Sequence, residues 1–449
     1  MSKSDDIILG ATPGGQEPDL VLASERVLIE GELQPAVLSI QDGRIRQVWW
    51  GSADPAKAGV FGEALVLGDK VVLPGVVDTH VHVTERGRAA GEGFASATRT
   101  AVLGGTTTIV DMPFRSIPAT TTVAALVAKR AAVDAVRARG ELFCDVAFWA
   151  GAVPGNAHDL EPLWDAGAIG FACLFSDSGV PGLPPLAPDQ LLDAMDRIAR
   201  FGALLAVHAQ APAVPRRAGR AYAGSLLSRR DEPETTAIAQ LLDAVRETGA
   251  RTHVLHLSSA RALDLLAEAK DEGLPVTAET CHDCLVDPEQ GPEGAASTYC
   301  PPILDRGNQD ALWEGLRAGI LDCVVSGHSP ATVEDKSPGG VSGLQAGFLA
   351  LADAAQRRGI SLADVSRWTS ANTAELVGLD RRPRQKGVIV EGAAADLIVY
   401  DPEATTTFRS VMGAVVQHPG STTPGSLVTG GPRSEVAAAR PPSRGIDEK

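Results

Sequence analysis

The chain has 449 residues and a formal net charge of -16. This acidic balance argues against nucleic acid as a partner, because phosphate backbones attract basic surfaces, and it offers no basic patch to anionic membranes. No run of about 18 apolar residues predicts a membrane span. The polar residues 1–6 do not resemble the start of a signal peptide, so we expect a cytoplasmic protein.

Short β segments at both ends of the chain predict one small β domain. Residues 19–69 alternate apolar runs with polar turns, and residues 386–400 have the same character. We expect residues 1–70 and 380–417 to pair into a small β-sandwich domain. A loosely ordered tail follows at 418–449, where Gly, Pro, Ser and Arg are frequent.

Residues 71–379, between these ends, alternate short apolar runs with helical stretches. The strand candidates are 71–82, 107–112, 144–150, 170–175, 203–208, 252–257, 275–280 and 321–326, and the helix candidates include 120–139, 188–201, 233–248 and 260–272. Regular alternation of this kind predicts parallel strands with crossover helices. Eight such units indicate an α/β fold with a closed (β/α)8 TIM barrel.

Four histidines fall at the ends of predicted strands. His80 and His82 end the first strand, where the period of two directs both imidazoles to one side, and His208 and His256 end two later strands. Each histidine alone is more often a hydrogen-bonded core residue than a ligand. Because the active site of such a barrel lies at the carboxyl ends of its strands, all four together predict a metal site.

The six cysteines are scattered along the chain, which favours reduced thiols over a disulfide framework. Cys281 and Cys284 form a C-x-x-C pair that is compatible with a metal or redox site. No second pair of this spacing accompanies them, so we regard this as a minor alternative.

Sequence blocks typical of one superfamily follow each other along nearly the whole chain. They include PGVVDTHVH with ERGR, GGTTTIVDMP, FWAGAVPGN, HLSSA, TAETC, CPPI and the closing ADLIVYDPE. On these motifs the sequence resembles the amidohydrolase superfamily, and within it the cyclic amidohydrolases. It resembles allantoinases most, and also resembles hydantoinases and dihydroorotases. The resemblance implies the barrel with its small β domain, a homo-oligomer (dimer or tetramer), and a small cyclic amide or ureide as substrate.

The resemblance also implies a binuclear centre, usually of zinc, in which four histidines matching those above join a bridging carboxylated lysine and an aspartate. Two of these parts are absent here. The family pattern GFKxF has its lysine where this chain has Ala172, and SDHSP has its aspartate where this chain has Gly327. Neutral imidazoles without an anionic ligand do not suit two dications. We therefore expect at most one metal ion, and zinc in preference because the donors are nitrogens.

Other departures from the family lie near the same end of the barrel, at Thr84, Phe114 and Leu304. Arg115 could recognise a carboxylate or phosphate of an anionic substrate with its planar fork of donors. Cys300, in the CPPI block, is a second candidate for contact with the substrate.

Loss of the aspartate leaves the family reaction without its proton carrier. His328, next to Gly327, is the candidate by proximity, since the ordinary pKa of imidazole suits the task. Glu85, Asp177 and Glu279 are further candidates on strand-end segments.

Two functions remain open from the sequence. The first is an altered enzyme that hydrolyses or forms a ring C–N bond with a mononuclear metal site, and the persistence of all four histidines favours it. The second is a catalytically inactive homologue that serves as a binding or scaffolding protein, as the collapsin response mediator proteins do on a hydantoinase-like barrel. Loss of both anionic groups favours this alternative.

Overall fold

Both ends of the chain contribute strands to one sheet in the computed structural model, which describes residues 18, 20–60, 63–83, 92–114, 116, 118–176, 184–210, 232–286, 304–329, 343–381, 385–406 and 423–428. The strands of this sheet are β1 (Leu20–Ile29), β2 (Glu32–Gln41), β3 (Arg44–Trp50), β4 (Leu65–Val66), β5 (Val71–Pro74), β15 (Leu397–Thr406) and β16 (Thr423–Val428). Their order is β16-β15-β5-β1-β2-β3, and β4 pairs with β1. The predicted β domain from both chain ends is confirmed.

Successive residues of β1 and β2 alternate between two apolar clusters, one on each face of this sheet. Leu22 and Leu38 belong to one cluster, and Val21, Ala23 and Val37 belong to the other. This is the alternation that the pleat of a strand imposes when both faces are covered. Burial on both faces therefore fixes the register of these strands, because a slip by one residue would exchange the two sets.

A second set of strands forms the barrel: β6 (Val76–Val81), β7 (Thr106–Asp111), β8 (Asp145–Phe148), β9 (Ala150–Gly151), β10 (Phe171–Leu174), β11 (Leu205–His208), β12 (Thr252–Val254), β13 (Val276–Cys281) and β14 (Cys323–Val325). They pair in parallel in the orders β6-β7-β8 and β9-β10-β11-β12-β13-β14. Only Trp149 separates β8 from β9, so the two form one bent strand. A parallel bridge between Val81 and His328 joins β6 to the segment directly after β14 and closes the barrel. The predicted (β/α)8 barrel is confirmed.

Helices follow the barrel strands: α1 (Gly93–Leu103), α2 (Val123–Ala138), α3 (Leu160–Asp165), α4 (Pro188–Phe201), α5 (Glu232–Thr248), α6 (Leu263–Asp271), α7 (Arg306–Arg317), α8 (Gly347–Arg357), α9 (Leu362–Ser366) and α10 (Asn372–Leu376). Helix α4 has the bounds expected from the sequence. Pro188 suits its first turn, and Gly202 ends it at φ +70°, which glycine adopts without strain. Within the described ranges, none of the helices combines the length and apolar character that a bilayer crossing requires.

The barrel strands separate two apolar cores. On β10, Phe171 and Cys173 pack outward with the helices, whereas Ala172 and Leu174 point into the barrel. The interior cluster includes Val77, Val110, Ala147, Trp149, Ala206, Leu255 and Cys323. Ala172 is thus a fully buried member of the barrel interior, one residue layer below the strand end that carries His208.

The run from residue 71 to residue 82, which the sequence predicted as one strand, forms two strands in different sheets. β5 pairs with β1 and β15 in the small sheet, and β6 pairs with β7 in the barrel. Gly75 lies between them, and a β-carbon there would come within 2.1 Å of the Thr107 hydroxyl oxygen. The strand that carries His80 therefore continues directly from the small sheet.

A buried ion-pair triad ties the two parts together. The Lys386 ammonium group lies 2.7 Å from the Asp145 carboxylate at the start of β8 and also contacts Asp396, just before β15. All three side chains are buried. The domain limits 1–70, 71–379 and 380–417 stay predictions, and the tail predicted at 418–449 lies outside the described residues except for β16.

Candidate functional site

The four histidines form one cluster at the carboxyl ends of the barrel strands. His80 lies near the end of β6 and His82 directly beyond it, His208 ends β11, and His256 follows β12. The ring centroids of His80 and His82 are 5.4 Å apart, those of His80 and His256 are 5.3 Å apart, and those of His208 and His256 are 4.7 Å apart. The structure therefore brings together all four histidines, and their role as metal ligands stays a prediction.

His208 and His256 are hydrogen-bonded to each other, with 2.7 Å between His208 Nδ1 and His256 Nε2. Burial, and secondly the charge of His80, lowers the pKa of His208 to about 4. Burial lowers the pKa of His256 well below its ordinary value, and the charges of His208 and His80 contribute to the same shift. Both imidazoles are therefore neutral at pH 7, which is the form that binds metal ions.

His256 has an unusual backbone conformation, with φ +37°. Positive φ is uncommon outside glycine and persists where the surroundings enforce it. The turn after His256 is held by the buried Glu234 carboxylate, which accepts hydrogen bonds from the backbone N–H groups of Ser258 (3.0 Å) and Ser259 (2.7 Å). Helix α5, which carries Glu234, thereby fixes the segment that positions the fourth histidine.

The Glu279 carboxylate lies behind the cluster, fully buried on β13. Its Oε1 atom is 2.5 Å from His80 Nδ1, and its Oε2 atom is 3.1 Å from His253 Nε2. Burial alone would raise the pKa of Glu279, but His80 and His253 lower it below the ordinary value, so the group is ionised. The sequence suggested Glu279 only as a proton carrier and missed His253, whose sole signal was its position three residues before His256.

His328 lies beside the cluster but bonds to a different carboxylate. Its Nε2 atom is 2.8 Å from Glu92 Oε2, and its backbone oxygen accepts a hydrogen bond from the His82 N–H at 2.8 Å. The side chain is fully buried, and within the described residues its Nδ1 atom makes no hydrogen bond. Glu92, immediately before α1, was not singled out from the sequence. The role of His328 as proton carrier stays a prediction.

The two positions that depart from the family motifs differ in their surroundings. Ala172 lies in the apolar barrel interior, and its backbone pairs with Gly151 and Ala206. Gly327 has φ +58°, and a β-carbon there would lie 2.6 Å from the sulfur of Cys281. A longer side chain at 327 therefore meets both a strained backbone and an occupied space.

Five of the sequence-predicted residues lie outside the described part of the chain: Thr84, Glu85, Arg115, Asp177 and Cys300. Phe114, which is described, stacks on His82 with a centroid distance of 5.7 Å and an interplanar angle of 28°. One face of the His82 imidazole is therefore covered by an aromatic ring.

The donor types suit one metal ion better than two. Neutral imidazoles with a carboxylate behind one of them are the usual surroundings of zinc, whereas Ala172 and Gly327 offer no donor for a second ion. Over the described ranges, however, no three His, Cys, Asp or Glu side chains are arranged to close around one ion. The C-x-x-C pair suits metal poorly, because burial raises the pKa of Cys284 to about 12 and that of Cys281 well above its ordinary value.

A parallel (β/α)8 barrel with a polar cluster at its carboxyl end belongs to the class of barrels whose chemistry takes place at that end. The model of the amidohydrolase family matches residues 71–420. The chain belongs to this family.

Similar proteins cover almost the same length. The chain is 47% identical over 413 residues to an allantoinase of Streptomyces avermitilis, covering 89% of each chain, and 38% identical to an allantoinase of Saccharomyces cerevisiae, covering 86% of each. Among solved structures, the L-hydantoinase of Arthrobacter aurescens has a TM-score of 0.74 at 26% identity over 92% of this chain and 93% of its own. The dihydropyrimidinase of Brevibacillus agri has a TM-score of 0.76 at 24% identity over 91% of this chain and 92% of its own, which shows a shared fold.

Proposed function

We propose that the protein is an allantoinase-like cyclic amidohydrolase that opens or closes a C–N bond of a ring amide or ureide at an altered site with at most one metal ion. The observation that carries this proposal is the cluster of four histidines at the carboxyl ends of the strands, in a chain 47% identical to a protein called allantoinase.

The reaction adds one water molecule across the ring bond. The water oxygen bonds to the carbonyl carbon, the C–N bond breaks, and a proton passes to the leaving nitrogen. His80, His82, His208 and His256 would hold a zinc ion, which polarises a carbonyl group and lowers the pKa of water when bound. The low pKa values of His208 and His256 keep these donors neutral, so that protons do not compete for their lone pairs at pH 7.

His328 is our candidate for the proton transfer. Its Nε2 atom faces the Glu92 carboxylate, which accepts the Nε2–H hydrogen bond and leaves Nδ1 as the nitrogen with a lone pair. A carboxylate that orients a histidine in this way is a common arrangement for a general base. The hydrogen bond between the His82 N–H and the His328 oxygen keeps this dyad next to the histidine cluster.

Several finer features belong to the same proposal. The substrate is a small cyclic amide or ureide, and Arg115 and Cys300 are the residues that we expect to contact it, with Arg115 suited to an anionic group. The acidic net charge of -16 supports a protein without nucleic-acid or membrane partners. We further propose a homo-oligomer, dimeric or tetrameric, in the cytoplasm.

The second candidate is a catalytically inactive barrel with a binding or scaffolding role. It is favoured by Ala172 and Gly327, because neither residue can bind a metal ion or carry a proton. The cluster of four histidines favours the enzyme, since an inactive barrel does not require four imidazoles at one end.

Metal content and turnover separate the two candidates. Protein purified without chelator should contain about one zinc per chain and hydrolyse allantoin, a hydantoin or dihydroorotate in a chelator-sensitive manner. His80→Gln should lose both properties, whereas the matched control His158→Gln, at a histidine whose side chain is 77% exposed, should keep them. Absence of metal and of turnover would favour the inactive barrel, and two zinc ions per chain would contradict the altered site.

A further inference from the structure

A chain of four hydrogen-bonded polar groups extends from the histidine cluster along β13 and β12: His80, Glu279 and His253 are buried, and Thr277 is half-buried. His80 Nδ1 and Glu279 Oε1 are 2.5 Å apart, Glu279 Oε2 and His253 Nε2 are 3.1 Å apart, and His253 Nδ1 and Thr277 Oγ1 are 2.7 Å apart. Glu279 also accepts a hydrogen bond from the backbone N–H of His256 at 3.2 Å. The carboxylate therefore contacts two members of the cluster.

These hydrogen bonds constrain the protons along the chain. A carboxylate that only accepts hydrogen bonds requires protons on His80 Nδ1 and His253 Nε2. The lone pair of a neutral His80 ring is then on Nε2, and that of a neutral His253 ring is on Nδ1, which lies 2.7 Å from the Thr277 hydroxyl oxygen.

We propose that Glu279 is the positioning residue of this centre: its hydrogen bond to His80 Nδ1 fixes the orientation of that ring and leaves Nε2 as the nitrogen that would bind a divalent metal ion. The proposal rests on the proposed function, since it assumes a metal ion at the histidine cluster. It assigns to Glu279 a role other than proton transfer. His253 and Thr277 support this role, because they hold the second oxygen of the carboxylate and thereby its orientation.

Metal affinity of the full chain provides the test. Glu279→Gln keeps the shape but places an amide NH2 group opposite one of the two ring N–H groups, so His80 and His253 can no longer both keep their tautomers. We expect the affinity for Zn2+ or Co2+, measured by equilibrium dialysis, to fall about 10- to 100-fold, as for other residues that orient metal-bound histidines. Thr277→Val, two hydrogen bonds further from His80, should cause a smaller loss.

The matched control is Asp145→Asn, which alters a buried carboxylate that pairs with Lys386 instead of a histidine. Circular dichroism should show that all variants are folded under the dialysis conditions. The visible absorption of bound Co2+ should change in Glu279→Gln and stay unchanged in Asp145→Asn, because it reports the ligand geometry. If wild type binds metal and Glu279→Gln binds it equally well with the same spectrum, the role of Glu279 is refuted while the proposed function stands. If wild type binds no metal, the role of Glu279 is refuted, and the turnover measurement then decides whether the proposed function is refuted with it.

Discussion

Gly327 faces the sulfur of Cys281 so closely that a β-carbon at position 327 would lie 2.6 Å from that sulfur. Position 327 is therefore not an open space from which an aspartate has simply been removed. The Cys281 thiol fills the adjoining volume, and the backbone at Gly327 has φ +58°, which side chains adopt with strain. Substitutions at these two positions should depend on each other.

The first prediction concerns this dependence. Gly327→Ala should lower the free energy of unfolding by about 2 to 4 kcal/mol, because it combines left-handed backbone strain with overpacking against sulfur. In a Cys281→Ala background the same substitution should cost only the backbone strain, about 1 to 2 kcal/mol. Denaturant unfolding of the four proteins in a double-mutant cycle measures the difference. Additive losses would show that the Cys281 side chain moves aside without cost.

The second prediction concerns the metal count. Ala172→Lys together with Gly327→Asp and Cys281→Ala, in buffer containing bicarbonate, should raise the metal content above one ion per chain and increase ring-opening turnover. The lysine amine can then add CO2 with loss of a proton to give an anionic carbamate, and the aspartate supplies the second anionic group. Metal analysis and turnover of allantoin are the measurements. The matched control combines Ala172→Met with Gly327→Asp and Cys281→Ala, since methionine has a long side chain without a nitrogen. No gain over this control would mean that the surroundings of the site have diverged as well.

The third prediction concerns pH. The pKa of His208 is lowered to about 4 in the folded protein, so between pH 6.5 and 4 the unfolded chain binds a proton that the folded chain does not. Stability of the metal-free protein is therefore complete above pH 6.5 and should fall by about 3 kcal/mol as the pH drops to 4. Urea unfolding with chelator present measures this loss, and His208→Gln should have a shallower dependence. An equal slope in both proteins would contradict the prediction.

The fourth prediction concerns the junction of barrel and small sheet. Lys386→Met should lower the free energy of unfolding by about 3 to 5 kcal/mol, because it leaves the buried carboxylates of Asp145 and Asp396 without a cation. Lys70→Met, at a half-exposed ion pair with Asp401, should cause a much smaller loss in the same denaturant experiment. If Asp145→Asn and Asp396→Asn are combined with Lys386→Met, part of the loss should be recovered.

The sequence predicted those features that depend on local patterns. Helix α4 begins at Pro188 and ends before Gly202, as its terminal residues indicate, and the strand-end positions of the histidines follow from the alternation of strands and helices. The metal-binding role of the histidines stays a prediction.

Features that depend on distant contacts could not be predicted. Residues 71–82 look like one apolar strand, and only pairing with β15 and β7 divides them between two sheets. The contacts of Glu279 with His80 and His253 join segments far apart in the sequence. The space beside Gly327 is likewise occupied by Cys281, at the end of a neighbouring strand.

The division of residues 71–82 between two sheets has a consequence for the order of events during synthesis. β5 needs β15 as its neighbour, and β15 leaves the ribosome only after all the barrel strands have been made. Until then, one edge of β5 remains unpaired, next to the strand that carries His80. A nascent chain can therefore assemble most of its barrel before the small sheet is complete, and the strand that carries His80 should acquire its final anchorage late.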